Sequence, residues 1–235
     1  MSETPLIVIP ARMASARLPG KPLADIGGLP LIGHVWGRAM TAHVGDVVVA
    51  AGDPEIVEAV RAFGGQAVLT DPALPSGTDR ARAAAEMLDA GGDRPVINLQ
   101  GDMPDVAPKT LRAVANRLME GDADIVTAVV AREGKLGPDR VKAVIAETGR
   151  ALYFTRAEAP WGDGARYQHV GIYGFRRDAL NRFCGLPPSP LERRERLEQL
   201  RALEAGMGIH CVEVAQLPLS VDTPEDLEAA RRALA

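Results

Sequence analysis

Four short apolar runs recur along the first hundred residues, and a stretch of helical period follows each one. "LIVIP" (6–10), "DVVVAA" (46–51), "QAVLT" (66–70) and "PVINLQ" (95–100) read as strands, and 31–42, 54–63, 78–90 and 108–120 read as helices. Such alternation constrains the chain to right-handed βαβ units and so to a mostly parallel sheet covered by helices. Asp53-Pro54 and Thr78 offer an N-cap or a first-turn proline, and Gly64-Gly65 can end the second helix. After residue 122 the rhythm changes. "DIVTAVVA", "RVKAVIAE", "ALYFTRA" and "HVGIYGFRR" are successive strand-like runs separated by Gly or Asp turns, which predicts a more antiparallel region at one end of the sheet. A helix at 190–205, a strand at 209–214 and a last helix from Thr223 complete the expected order.

A chain of 235 residues can bury a full core, and the expected organisation is a single domain over 1–235 with an inserted lobe within 123–208. The net charge of -4 argues against nucleic acid as a partner, because nucleic-acid-binding domains carry a basic excess. Any anion must therefore be held by a local cluster. Cys184 and Cys211 form no CxxC and no Cys/His group, so neither a disulfide framework nor a zinc site is expected, and a reducing cytoplasm fits. The N-terminus shows no basic and apolar leader pattern, and no uncharged apolar segment nears the ~20 residues that span a bilayer. No membrane insertion is expected.

Ligands of open α/β sheets sit beyond the carboxyl ends of the strands. That rule selects the loop after Ile9, the segment after Thr70, "QGD" after Leu99 and "VDTPEDL". The first, "IPARMASARLPGKPL", sets Arg12, Arg17 and Lys21 around Pro19-Gly20 without the Walker A order, and it fits either a triphosphate cradle or a solvated basic turn. "LQGDMP" puts Asp102 and Gln100 at a strand end, where a carboxylate suits Mg²⁺ and where Gly-Asp also makes an ordinary turn. In "VDTPEDL", Thr223 and Asp226 are spaced as a capping box, which leaves Asp222 available as a second metal ligand. "SGTDR" brings Ser76, Gly77, Thr78, Asp79 and Arg80 to a helix N-terminus, able to meet a base or a phosphate, or simply to cap the helix from Thr78. His169 and Tyr173, four apart in a strand, should share a face with Gly171 between them.

These segments, with "RALYFTRAEAPW", "HVGIYGFRRDALNRF" and "PSPLERRERLEQLRALEAGMGIH", resemble the 3-deoxy-manno-octulosonate (Kdo) cytidylyltransferase family in order over nearly the whole chain. The opening loop is shared with other sugar cytidylyltransferases, whereas "YFTRA" with "PSPLE…LEQLR" is more specific. The resemblance implies a three-layer α/β/α nucleotide-diphospho-sugar transferase-like (Rossmann-like) fold with a mixed, mostly parallel central sheet. It also implies a cytoplasmic homodimer whose smaller lobe serves sugar binding and dimerisation, and Mg²⁺-dependent transfer of CMP from CTP to Kdo for lipopolysaccharide synthesis. By the same likeness Arg12 and Lys21 hold the triphosphate, Ser76 to Arg80 face the cytidine, and Asp102 and Asp222 bind magnesium, with Lys21, Asp102 and Asp222 as the catalytic set. Gln100 lies by both nucleotide and sugar, and Arg156, His169, Tyr173, Glu198 and Gln199 form the sugar pocket. Two departures stand out: Met103 replaces the family's usual glutamate, and the segment 162–168 is shorter than usual. The competing readings are a cytidylyltransferase for another acidic sugar, such as an amino-Kdo variant or a nonulosonate, and a non-catalytic nucleotide-binding protein on the same fold.

Overall fold

The computed structural model describes residues 4–15 and 17–234. The chain forms two compact units, Met1–Arg112 with Pro218–Ala235, and Ala113–Leu217.

In the first unit β1 (Leu6–Ala11) leads through a single 3₁₀ turn at Lys21–Leu23 to the small hairpin β2 (Asp25–Ile26) and β3 (Leu29–Pro30). Then come α1 (Leu31–Ala42), β4 (Asp46–Ala51), α2 (Pro54–Ala62), β5 (Gln66–Leu69), α3 (Gly77–Leu88) and β6 (Val96–Leu99), and α4 (Pro108–Met119) begins here and continues into the second stretch of chain. The strands lie side by side as β6-β1-β4-β5, all parallel, with Leu6 opposite both Asp46 and Val96. Every residue of β1 is buried, the pattern of a parallel strand covered on both faces. The hairpin was not anticipated, because two-residue strands carry no periodicity to read.

Four local details bear on the expected helix ends. Pro54 opens α2 as expected, yet the Asp53 side chain makes no cap bond and instead accepts from the Met13 N–H at 2.7 Å, tying down the loop after β1. Ser76, not Thr78, caps α3 by accepting from Asp79 N. Gly64 ends α2 with φ 83°, which a side chain would strain. The C-terminal helix α8, Pro224–Leu234 in chain order, begins with the expected reciprocal Thr223–Asp226 bonds. Its Leu227 and Ala230 pack with Ile26, Leu31 and Val221, which fixes the approach of the segment carrying Asp222.

The second unit contains β7 (Ile125–Arg132), β8 (Lys142–Ile145), β9 (Ala151–Thr155), β10 (Arg166–Phe175), α5 (Arg177–Gly185), α6 (Pro190–Glu195), α7 (Leu200–Glu204) and β11 (Ile209–Glu213). β10 runs antiparallel to β7 and β8, β9 runs antiparallel to β8, and β11 is parallel to β7, so the expected antiparallel character holds. Two helical expectations need correction. The run to Arg177 is not all strand: β10 stops at Phe175, and α5 starts at Arg177 with Asp178 in its first turn. The helix expected over 190–205 is two, because Arg196 adopts a left-handed φ of 57° after a Ser189–Glu192 capping box has started α6.

Candidate active site

Three of the four segments picked out by the strand-end rule line one cavity of about 410 Å³ in the first unit. The loop after β1 supplies Arg12, Arg17 and Lys21, α3 supplies Ser76, Gly77 and Arg80, and the turn after β6 supplies Gln100 and Asp102. Four cations against one carboxylate make this wall suited to a polyanion. The loop is closed by Gly20 N donating to Met13 O, with Gly20 at φ 71°, so the following Lys21 is thrown inward.

The fourth segment arrives through backbone bonds. Val221 N donates to Asp102 O at 2.9 Å and Leu219 N donates to Asp105 Oδ1 at 2.7 Å, which sets Asp222 beside Asp102. Lys21 Nζ bridges the two carboxylates, 3.2 Å from Asp102 Oδ2 and 3.1 Å from Asp222 Oδ1, and Arg17 also reaches Asp222. Burial pushes the Asp102 carboxyl above the ordinary carboxylate range, Lys21 opposes that shift and Asp222 adds to it. Asp102 Oδ1 is buried and has no hydrogen-bond partner among the described residues. An orphaned carboxylate oxygen, held near a second carboxylate and stabilised only in part by an ammonium, is a donor set that fits a hard divalent cation. Among the described residues no three His, Cys, Asp or Glu side chains gather into a cage, so such an ion would keep several other oxygen ligands. Met103 is buried at 8% exposure and is not among the lining residues, so it packs.

"SGTDR" is used mostly by the protein itself. Ser76 and Asp79 bond each other, and the Arg80 guanidinium, 2% exposed, donates to Thr70 Oγ1 and to the carbonyls of Asp71 and Pro72. Desolvation, then the neighbouring Arg12, holds Arg80 below the ordinary guanidinium range. Thr78 Oγ1 accepts from Asn98 Nδ2 at 3.2 Å, and Asn98 Oδ1 accepts from Gln100 Nε2 at 3.1 Å. The relay commits the Gln100 amide: its N–H points to Asn98 and its Oε1 remains as the acceptor beside Gly77 at the cavity wall. Asn98 was missed in the sequence because a buried amide inside an apolar strand looks like any strand residue.

In the second unit His169 and Tyr173 do share a face, with ring centroids 5.4 Å apart, although β10 slips register between Val170 and Tyr173. Phe154 meets His169 edge-on at 5.2 Å. Thr127 Oγ1 donates to Ile172 O at 2.8 Å and so accepts from His169 Nε2–H at 2.9 Å, leaving Nδ1 as the ring's acceptor. Burial drives the Tyr173 hydroxyl well above its ordinary range, and the nearby Glu198 carboxylate adds to the shift. Gln199 is 5% exposed, and its Nε2 is buried without a hydrogen-bond partner among the described residues. Arg156 is not bonded into this group; its Nε donates to Glu195 O and its Nη1 to Pro138 O.

Burial lowers His169 from 6.5 to about 4, so the ring is neutral at working pH. A depressed folded-state value means that the unfolded chain binds the extra proton, and stability is lost as pH falls from the unfolded value through the folded one. We expect a His169-dependent loss on the order of 2–3 kcal/mol across that window. Urea melts of the native chain and His169→Gln at pH 7 and pH 4.5 check it, the variant showing the smaller pH dependence.

A cytidylyltransferase family model matches residues 6–209. A 3-deoxy-manno-octulosonate cytidylyltransferase of Parvibaculum lavamentivorans is 58% identical, with 98% of this chain and 93% of that protein covered. One from Rhodopseudomonas palustris is 53% identical, covering 98% and 97%. The chain belongs to the 3-deoxy-manno-octulosonate cytidylyltransferase family. A solved CMP:2-keto-3-deoxy-manno-octonic acid synthetase complexed with CTP superposes with a TM-score of 0.91 at 39% identity, covering 99% of this chain and 98% of that one. The family's nucleotidyltransferase fold, α/β with a mixed and mostly parallel sheet, is thus the fold of this chain. Among the described residues no helix is long and apolar enough to cross a membrane.

Proposed function

We infer that this enzyme transfers CMP from CTP to the anomeric hydroxyl of Kdo and releases pyrophosphate. The observation that carries the reading is the Asp102–Lys21–Asp222 bridge, two of whose members line a cation-rich cavity, with Asp102 Oδ1 left orphaned among the described residues. Arg12 and Lys21 offer charge to the triphosphate, and backbone amides at the start of α3 add neutral donors. Asp102 and Asp222 would hold Mg²⁺, which when bound neutralises phosphate charge and lowers the pKa of a coordinated hydroxyl. The protein residues supply no nucleophile of their own; they align the sugar hydroxyl with the α-phosphorus and compensate charge on the leaving pyrophosphate. For the sugar we assign Arg156 to the carboxylate, and His169, Tyr173, Glu198 and Gln199 to the hydroxyls. His169 works there as a neutral hydrogen-bonding group, given its lowered pKa. Family likeness alone supports a cytoplasmic homodimer; light scattering on the purified chain checks the dimer.

Base choice follows from the Gln100 relay. An acceptor at the cavity wall pairs with the N4 amino group of cytosine and faces the O4 acceptor of uracil unfavourably. CTP is expected to exceed UTP in kcat/KM by at least ~10², and Gln100→Ala to shrink that ratio about tenfold or more. Steady-state kinetics with both nucleotides give the answer, and an unchanged ratio would remove Gln100 from base reading. Product identity is tested by mass spectrometry after incubation with CTP and a panel of acidic sugars. CMP-Kdo as the main product supports the reading; a CMP conjugate of a different sugar in preference to Kdo would replace the substrate.

A further inference from the structure

Lys142 is fully buried at 0% exposure, on the first residue of β8, and its ammonium is spent on backbone carbonyls. It donates to Arg140 O and Arg156 O at 2.7 Å each, to Gly137 O at 3.0 Å and more weakly to Leu136 O at 3.4 Å. Three N–H protons thus meet three close acceptors. Burying an ammonium is expensive, and desolvation does hold Lys142 below the ordinary lysine range. What the arrangement secures is the loop 136–140 and the carbonyl of Arg156.

The N–H of the same residue is held by an opposite charge. Glu195 Oε2 accepts from Arg156 N at 2.9 Å, while Oε1 accepts from Thr155 Oγ1 at 2.8 Å. That hydroxyl oxygen in turn accepts from Ala157 N at 3.0 Å. The Glu195 carbonyl takes Arg156 Nε at 3.1 Å, and Pro138 O, on the loop that Lys142 closes, takes one Nη1 proton at 3.5 Å. An ammonium on its carbonyl, a carboxylate on its amide and two carbonyls on its guanidinium over-determine where Arg156 stands. Among the described residues both Nη2 protons and one Nη1 proton remain unused, a fork suited to a carboxylate.

We propose that Lys142 and Glu195 are positioning residues that act through Arg156, presenting its guanidinium to the carboxylate of an acidic sugar. The proposal rests on the reading that Arg156 meets the sugar. It distinguishes the pair from a mere clamp on the fold, because their effect must disappear when Arg156 is absent.

The experiment is a double-mutant cycle on the full-length enzyme with Glu195→Ala, Arg156→Ala and the double variant, with Lys142→Met measured beside them. Glu195→Ala is expected to raise KM for Kdo about tenfold while calorimetric CTP binding to the enzyme stays within about twofold, and to add less than about twofold in the Arg156→Ala background. Glu195 is the principal probe because Lys142→Met strands buried carbonyls; if Lys142→Met does not fold, the Glu195 cycle decides alone. Full additivity in the double variant, or a lowered Tm in Glu195→Ala without any Kdo-selective change in KM, overturns the proposal. If Arg156→Ala itself leaves KM for Kdo unchanged, the sugar role of Arg156 is wrong and the proposal falls with it. A large Arg156→Ala effect with none from Glu195→Ala refutes only the positioning pair.

Discussion

Asp102→Asn and Asp222→Asn each lower kcat by roughly 10²–10³-fold, whereas Met103→Leu keeps most of it, the size expected when one preorganised charge is removed from a transition state. Each amide keeps the shape of its side chain and loses the charge that draws a divalent ion against the phosphates. Asp102 is the more exposed to this loss in energetic terms, since its Oδ1 is buried with no hydrogen-bond partner among the described residues. Met103 is different in kind: a buried thioether is a poor partner for a hard cation, and its exposure of 8% makes it packing. Initial rates across a Mg²⁺ titration separate the two classes. Near-normal turnover of either aspartate variant at limiting Mg²⁺ would contradict the two-carboxylate site, as would loss of metal dependence in Met103→Leu.

Lys21→Met carries the second large effect, and it acts in two directions. In turnover it removes a cation from the triphosphate wall, with a loss of about 10² or more in kcat/KM expected. In the unliganded protein it leaves Asp102 and Asp222 facing one another without the ammonium now 3.2 and 3.1 Å from them. The Asp102 pKa is already raised by burial and by Asp222, and losing Lys21 raises it further. A carboxyl whose folded-state pKa lies above the unfolded value stabilises at low pH and loses that contribution as pH rises through the folded value. The variant should therefore be less stable than the parent at pH 8, recover part of the deficit near pH 5, and gain more in Tm from added Mg²⁺ than the parent does. Scanning calorimetry at the two pH values with and without Mg²⁺ shows it; an Mg²⁺ response equal to that of the parent would mean that the ammonium does not stand in for a cation there.

The first unit was legible because its signals are local. Apolar runs such as "LIVI" and "DVVVA" can only be buried parallel strands when helices separate them, and β1, β4, β5 and β6 lie within a residue or two of the expected bounds. The strand-end rule then selected Arg12, Lys21, Gln100 and Asp102, which line one cavity, and Asp222 was singled out once Thr223 was explained by its cap. What escaped depends on distance through space. Nothing local tells that Asp53 serves Met13 across 40 residues, or that Glu195 serves Arg156 across 39. Lys142 reads as one polar residue in a strand-like run, and only the fold reveals three carbonyls converging on it. The break at Arg196 was hidden because arginine is a good helix former, so its left-handed φ of 57° runs against propensity.

One cavity takes CTP, and its chemistry requires the acidic sugar. Pyrophosphate release measured with ATP, GTP, CTP and UTP, each with and without Kdo in the presence of Mg²⁺, tests it most directly. Rapid release is expected only where CTP and Kdo are both present, with a trace from UTP and Kdo and none above background from any nucleotide alone. Equal release from UTP, or release from CTP that is indifferent to Kdo, would contradict it.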